Sequence, residues 1–205
     1  NGADQEGVGY YQATVGNGRR CSAAVGYLRP VKGRANLSVI TGAMVHHISF
    51  EQRRATGVRY EKDGHWHELH AAREVLVCGG SINSPQLLML SGIGPSDELQ
   101  RHGIGVLHHL PGVGQHLHDH PDVVQVVDAP QLTELFGLSL RGGLNVLRGM
   151  REWRTQRRGM LTTNFAEAGG FIRSRPEEDA PDLQLHFVIG KLVDHGRKTV
   201  FGHGY

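Results

Sequence analysis

The chain has little that would staple it, anchor it or charge it strongly. Cysteine occurs only at Cys21 and Cys78 in 205 residues, far apart and without a C-x-x-C spacing. A disulfide-built scaffold is therefore not expected, and reduced cytoplasmic thiols are the default. No uninterrupted apolar run approaches the roughly 20 residues needed to span a bilayer, and no charged n-region with an apolar h-region opens the chain. Charge of one sign is also scarce, with a formal net charge of +2. That gives no basis for a nucleic-acid partner, where affinity rests on clustered cations meeting many phosphates. The first residue is Asn1 rather than Met, so the expectation is an internal piece of a longer product.

What is present suits a soluble globular chain: 39% hydrophobic and 20% charged residues, long enough for one domain or parts of two. Glycine (29) and histidine (14) are plentiful. Ser22–Leu28 reads as a short helix stopped by Pro30. Leu37–Thr41, Ala43–Phe50 and Gly57–Glu61 read as strands from their β-branched and aromatic content. Asp63-Gly64 suits a type I′ hairpin turn, since both residues tolerate positive φ, and Trp66–Leu69 is the return strand.

Glu74–Cys78, nearly all apolar, has the pattern of a strand buried on both faces. Gly79-Gly80 follow. Ser84-Pro85 then suits a helix start over Gln86–Leu90, because serine caps well and proline loses no bond at the first helical position. Ser91-Gly92 ends it. Strand, glycine turn and helix make half of a dinucleotide-type βα unit, although α/β proteins use such turns for plain packing too. Further on, 111–121 reads as an ordered loop, Val123–Val127 as a strand and Leu138–Arg158 as a helix. Phe171-Ile172 and Leu183–Ile189 read as strands, the latter with alternate residues on one face.

The stretch Gly80-Ser81-Ile82-Asn83-Ser84-Pro85-Gln86-Leu87-Leu88-Met89-Leu90-Ser91-Gly92-Ile93-Gly94-Pro95 resembles the second signature of the glucose-methanol-choline (GMC) oxidoreductases. Other segments agree in order: Asn1-Gly2 with Gln5-Glu6-Gly7, Gly18-Arg19-Arg20-Cys21-Ser22-Ala23-Ala24 through Tyr27-Leu28, and Arg34-Ala35-Asn36-Leu37. Leu110-Pro111-Gly112-Val113-Gly114-Gln115-His116-Leu117-His118-Asp119-His120 resembles a further family element, with His116 where asparagine is usual. The resemblance is strong to about His120 and looser beyond.

It implies an α+β or α/β chain: part of a FAD-binding, Rossmann-like domain over 1–120, then part of an antiparallel-sheet substrate domain over 121–205. It also implies FAD as cofactor, with the backbone at Val45 meeting the adenine end and Cys78-Gly79-Gly80 beside the dinucleotide. Cys78 itself reads as a small buried hydrophobe rather than a reactive thiol. Glu167 resembles the position where choline-oxidising members place a carboxylate facing the substrate cation; the alternative is a glutamate accepting backbone amides or on an exposed edge.

The implied activity is oxidation of a primary alcohol, choline or aliphatic, to the aldehyde, with a quinone or oxygen as electron acceptor. Members also use an amino-terminal G-x-G-x-x-G and a carboxy-terminal histidine base. Neither can be assigned here, so no catalytic residue is expected in this chain, and the chain alone is expected to hold no FAD.

Two other constellations carry weaker readings. His116, His118 and His120 fall at i, i+2 and i+4 and would share a face on a strand, giving a metal site as an alternative, though none is expected in a loop. Arg148, Arg151, Arg154, Arg157 and Arg158 lie along a helix. Since the resemblance implies relatives that pass electrons to a membrane quinone pool, peripheral membrane association is one reading, but Leu144, Leu147, Met150 and Trp153 sit beside the arginines, which favours a solvated helix with one buried edge. A non-catalytic binding module on the same scaffold is the other alternative.

Overall fold

The computed structural model describes residues 4–205; Asn1 and Gly2 lie outside the described residues. In chain order the described strands and α-helices are β1 (Gly7–Tyr10), β2 (Val15–Gly16), β3 (Arg19–Arg20), β4 (Met44–Glu51), β5 (Arg54–Lys62), β6 (His65–His70), α1 (Gly80–Leu90), β7 (Ile93–Gly94), α2 (Ser96–Arg101), β8 (His108–His109), β9 (Gly137–Leu138), α3 (Leu140–Gln156), β10 (Ala166–Ile172), β11 (Leu183–Val188) and β12 (Gly202–His203). They fall into two units: Ala35–Pro121, and the residues up to Arg34 together with Asp122–Tyr205.

The unit Ala35–Pro121 is built on an antiparallel sheet, β4-β5-β6. Asp63 (φ 53°) and Gly64 (φ 74°) form the expected hairpin turn, setting Tyr60 opposite His67, with their rings stacked 5.1 Å apart. Ile48 and Tyr60 are buried, and α1 packs against β4. A short parallel pair, β7 with β8, follows, and Leu99 of α2 is only 1% exposed.

Glu74–Cys78 forms no strand, and Leu76 is 76% exposed. A strand buried on both faces needs a neighbour on each side, and none runs beside it among the described residues. Leu37–Thr41 likewise forms no strand. Helix α1 starts at Gly80, not at Ser84, so Pro85 lies inside it and removes the rung to the carbonyl four residues back. Its end is as expected: the Ser91 amide donates to Leu87 O and Leu88 O, and Gly92 takes φ 83°.

The second unit carries the antiparallel sheet β1-β10-β11 and the β2–β3 hairpin, turned by Asn17 (φ 51°) and Gly18 (φ 64°). The helix expected over Ser22–Leu28 is a wide π-turn, Ala24–Leu28. Pro30 does not simply stop it, because a 3-10 turn, Arg29–Val31, includes that proline. Val123–Val127 is not a strand; only Val127 exchanges backbone hydrogen bonds with Tyr205. Helix α3 is capped by Ser139, whose Oγ accepts from the Gly142 amide at 2.9 Å, and it closes at Arg157 in the left-handed conformation. Its buried positions are Gly142 and Gly149, while Leu140, Leu144 and Leu147 are exposed. Strand β11 covers Leu183–Val188, one residue short of the expected end at Ile189, and Leu183, Leu185 and Phe187 are exposed. No helix among the described residues is long and apolar enough to cross a membrane.

Candidate functional site

The glycine turn that opens α1 presents backbone amides rather than side chains to a ligand. Gly79 is the residue before the helix; no side chain caps it and no acidic residue occupies the first turn. The first amides of a helix have no partner within it, and their aligned dipoles favour a negative group. Asp, Ser or Asn in that place would take up one of those donors. Here they stay available.

The two glycines differ in what requires them. A Cβ on Gly79 would come within 3.1 Å of Asn83 Cβ and 3.2 Å of Ser84 N, so this position is crowded by the helix itself. Gly80 has φ 78°, and a Cβ there would meet nothing within 4 Å. Its conformation disfavours an L side chain while the space beside it is open. Backbone and open space together are what a closely approaching ligand needs. Cys78, just before the turn, is exposed, which corrects the expectation of a buried small hydrophobe.

Val45 belongs to the same unit. It pairs with Tyr60 on β5, at a register shift between Val45 and His47, and is 37% exposed. Ile48, three residues along β4, donates its amide hydrogen to Ser91 Oγ at 2.8 Å, and that hydroxyl donates to Leu87 O at 2.6 Å. The strand carrying Val45 is thus bonded to the end of the helix that Gly80 begins. Ser91 escaped the sequence reading as a tie; a serine at a helix end was the only hint.

Glu167 lies in the other unit. It is the extra residue of a β-bulge in β10, between Ala166 opposite Val188 and Ala168 opposite Phe187. Its carbonyl accepts from the Tyr11 amide at 2.8 Å, and its side chain is exposed. A bulge re-aims a side chain out of the regular alternation.

The histidine run does not assemble a metal centre. Residues 115–121 are not a strand, so His116, His118 and His120 do not share a strand face, and all three are exposed. Among the described residues no group of three His, Cys, Asp or Glu side chains could hold a metal. His116 has φ 56°, a left-handed conformation in which asparagine is favoured.

A profile of the GMC oxidoreductases matches residues 1–122. The chain belongs to the GMC oxidoreductase family. It is 45% identical to an alcohol dehydrogenase [acceptor] of Pseudomonas putida, covering all of this chain and 37% of that protein. It is also 45% identical to the mitochondrial choline dehydrogenase of Mus musculus, over all of this chain and 34% of that protein. Among solved structures, a variant of the Aspergillus oryzae formate oxidase matches 98% of this chain and 39% of its own, with TM-score 0.79 and 26% identity. The chain thus spans about a third of the length of the curated relatives.

GMC oxidoreductases are FAD-dependent. The turn fits that cofactor on the chemistry of its donors: uncapped helix-start amides, a glycine backbone beside open space, and no carboxylate in the first turn to repel a phosphate.

Proposed function

We propose that the protein carrying this chain oxidises a primary alcohol, choline or an aliphatic alcohol, to the aldehyde with FAD as cofactor. In this reading residues 1–120 form part of the FAD-binding domain and residues 121–205 part of the substrate domain. The observation that carries it is the open Gly80 backbone at the uncapped start of α1, inside a segment matched by the family profile. The relatives' names, alcohol dehydrogenase [acceptor] and choline dehydrogenase, favour the substrate class.

Bound FAD would supply the two-electron acceptor for the hydride leaving the alcohol carbon. This chain's own residues bind and orient. The Val45 backbone borders the adenine, and Cys78, Gly79 and Gly80 border the dinucleotide. Glu167 faces the cationic end of a quaternary ammonium substrate, which cannot donate a hydrogen bond and is recognised through charge or aromatic faces. No residue of this chain is assigned the base that takes the hydroxyl proton. Electrons then pass to a quinone or to oxygen.

Anaerobic addition of choline and of short primary alcohols to the purified full-length protein tests the reading. Loss of the oxidised-flavin absorbance, with aldehyde formed in equal amount, is expected. A flavin that no alcohol reduces contradicts it. The isolated 205-residue chain is expected to bind FAD far more weakly than the full-length protein.

A further inference from the structure

A recess in the unit that contains α3 has a chemistry of its own. It has a volume of about 670 Å³, and its lining includes Thr14, Arg19, Arg20, Trp153, Thr163 and Asn164. That volume lies in the range of small-molecule sites, about 300–1,000 Å³. No Asp or Glu is among its lining residues, whereas two arginines are. Neither Arg19 nor Arg20 has an ion-pair partner among the described residues.

The arginines are set in place by the fold. Asn17 and Gly18 turn the β2–β3 hairpin so that Arg19 and Arg20 follow at once on the return strand. The indole N–H of Trp153 donates to Gly18 O at 2.5 Å, fixing the hairpin tip to α3. The Arg19 guanidinium lies 5.5 Å from the Trp153 ring centroid, a cation–π arrangement that leaves the edge N–H groups free to donate. Thr163, also in the lining, accepts at Oγ1 from the Phe165 amide at 2.9 Å and keeps its own proton to give.

We propose that this recess binds the anionic head of a small molecule carrying a phosphate or carboxylate group. Arg19 and Arg20 supply the guanidinium donors, with the Thr163 hydroxyl as a further one. A planar guanidinium matches two oxygens of an oxyanion at once, which a lysine cannot reproduce. The inference does not rest on alcohol oxidation by the protein.

The test titrates inorganic phosphate, and separately acetate, into the FAD-loaded full-length protein by calorimetry, with chloride holding ionic strength constant. Saturable binding of at least one anion is expected. It should weaken by about tenfold or more in Arg20→Gln, the scale of a lost charged hydrogen bond, and by less in Arg20→Lys. Arg53→Gln, at the turn between β4 and β5, should leave it unchanged. No saturable binding of either anion overturns the proposal. So does equal affinity in Arg20→Gln, or an equal loss in Arg53→Gln.

Discussion

The Ile48 amide and the Ser91 hydroxyl are joined by a hydrogen bond of 2.8 Å, linking the middle of β4 to the residue that closes α1. Ile48 is 4% exposed, so its amide has little access to replacement water. The bond holds the strand of Val45 and the helix of Gly80 as one piece.

Ser91→Ala therefore leaves a buried donor without a partner, at a cost of about 1–3 kcal/mol. In the full-length protein a lower unfolding midpoint in urea is expected, with the slope unchanged. A midpoint equal to wild type would show that the tie contributes nothing.

Glu167 gives a prediction about specificity. Glu167→Gln keeps the size of the side chain and removes its charge. KM for choline should rise by about tenfold or more, on the scale of a charged contact, while KM for a neutral aliphatic alcohol stays the same. Equal changes for both substrates would remove Glu167 from the cation site.

An acid-side effect is expected at Asp182. The Ser174 hydroxyl donates to its Oδ2 at 2.5 Å and the Ser174 amide to its Oδ1 at 2.7 Å, and these bonds hold its carboxyl below the ordinary 3.8. A carboxylate with a lowered folded pKa contributes stability above its unfolded pKa and loses it as pH falls through the folded value. Ser174→Ala removes the hydroxyl donor, so its unfolding midpoint relative to wild type should converge as pH drops below about 3.8. Parallel curves down to the most acid point would contradict this.

Features whose cause is local were legible in the sequence. Asp63-Gly64 was readable because positive φ is a property of those two residues. The end of α1 at Ser91-Gly92 was readable for the same reason. Glu74–Cys78 misled, because Val75, Leu76 and Val77 describe a wish to be covered and say nothing of which strands would cover them. The start of α1 was misplaced because Ser84-Pro85 carries the usual start signal, whereas the true start at Gly79-Gly80 lacks a capping side chain. That missing cap is what leaves the amides open. The bulge at Glu167 was not legible, since it arises from the register between two strands far apart in sequence.

The central claim is that the Gly80 turn lies against FAD, and Gly80→Val in the full-length protein tests it most directly. The new side chain would occupy open space at φ 78°, where a branched residue is strained and where the cofactor would approach. Titration of apoprotein with FAD, alongside circular dichroism to confirm the fold, should give a Kd raised at least about tenfold in a folded variant, equivalent to about 1.4 kcal/mol. A folded variant that takes up FAD with wild-type Kd would contradict the account.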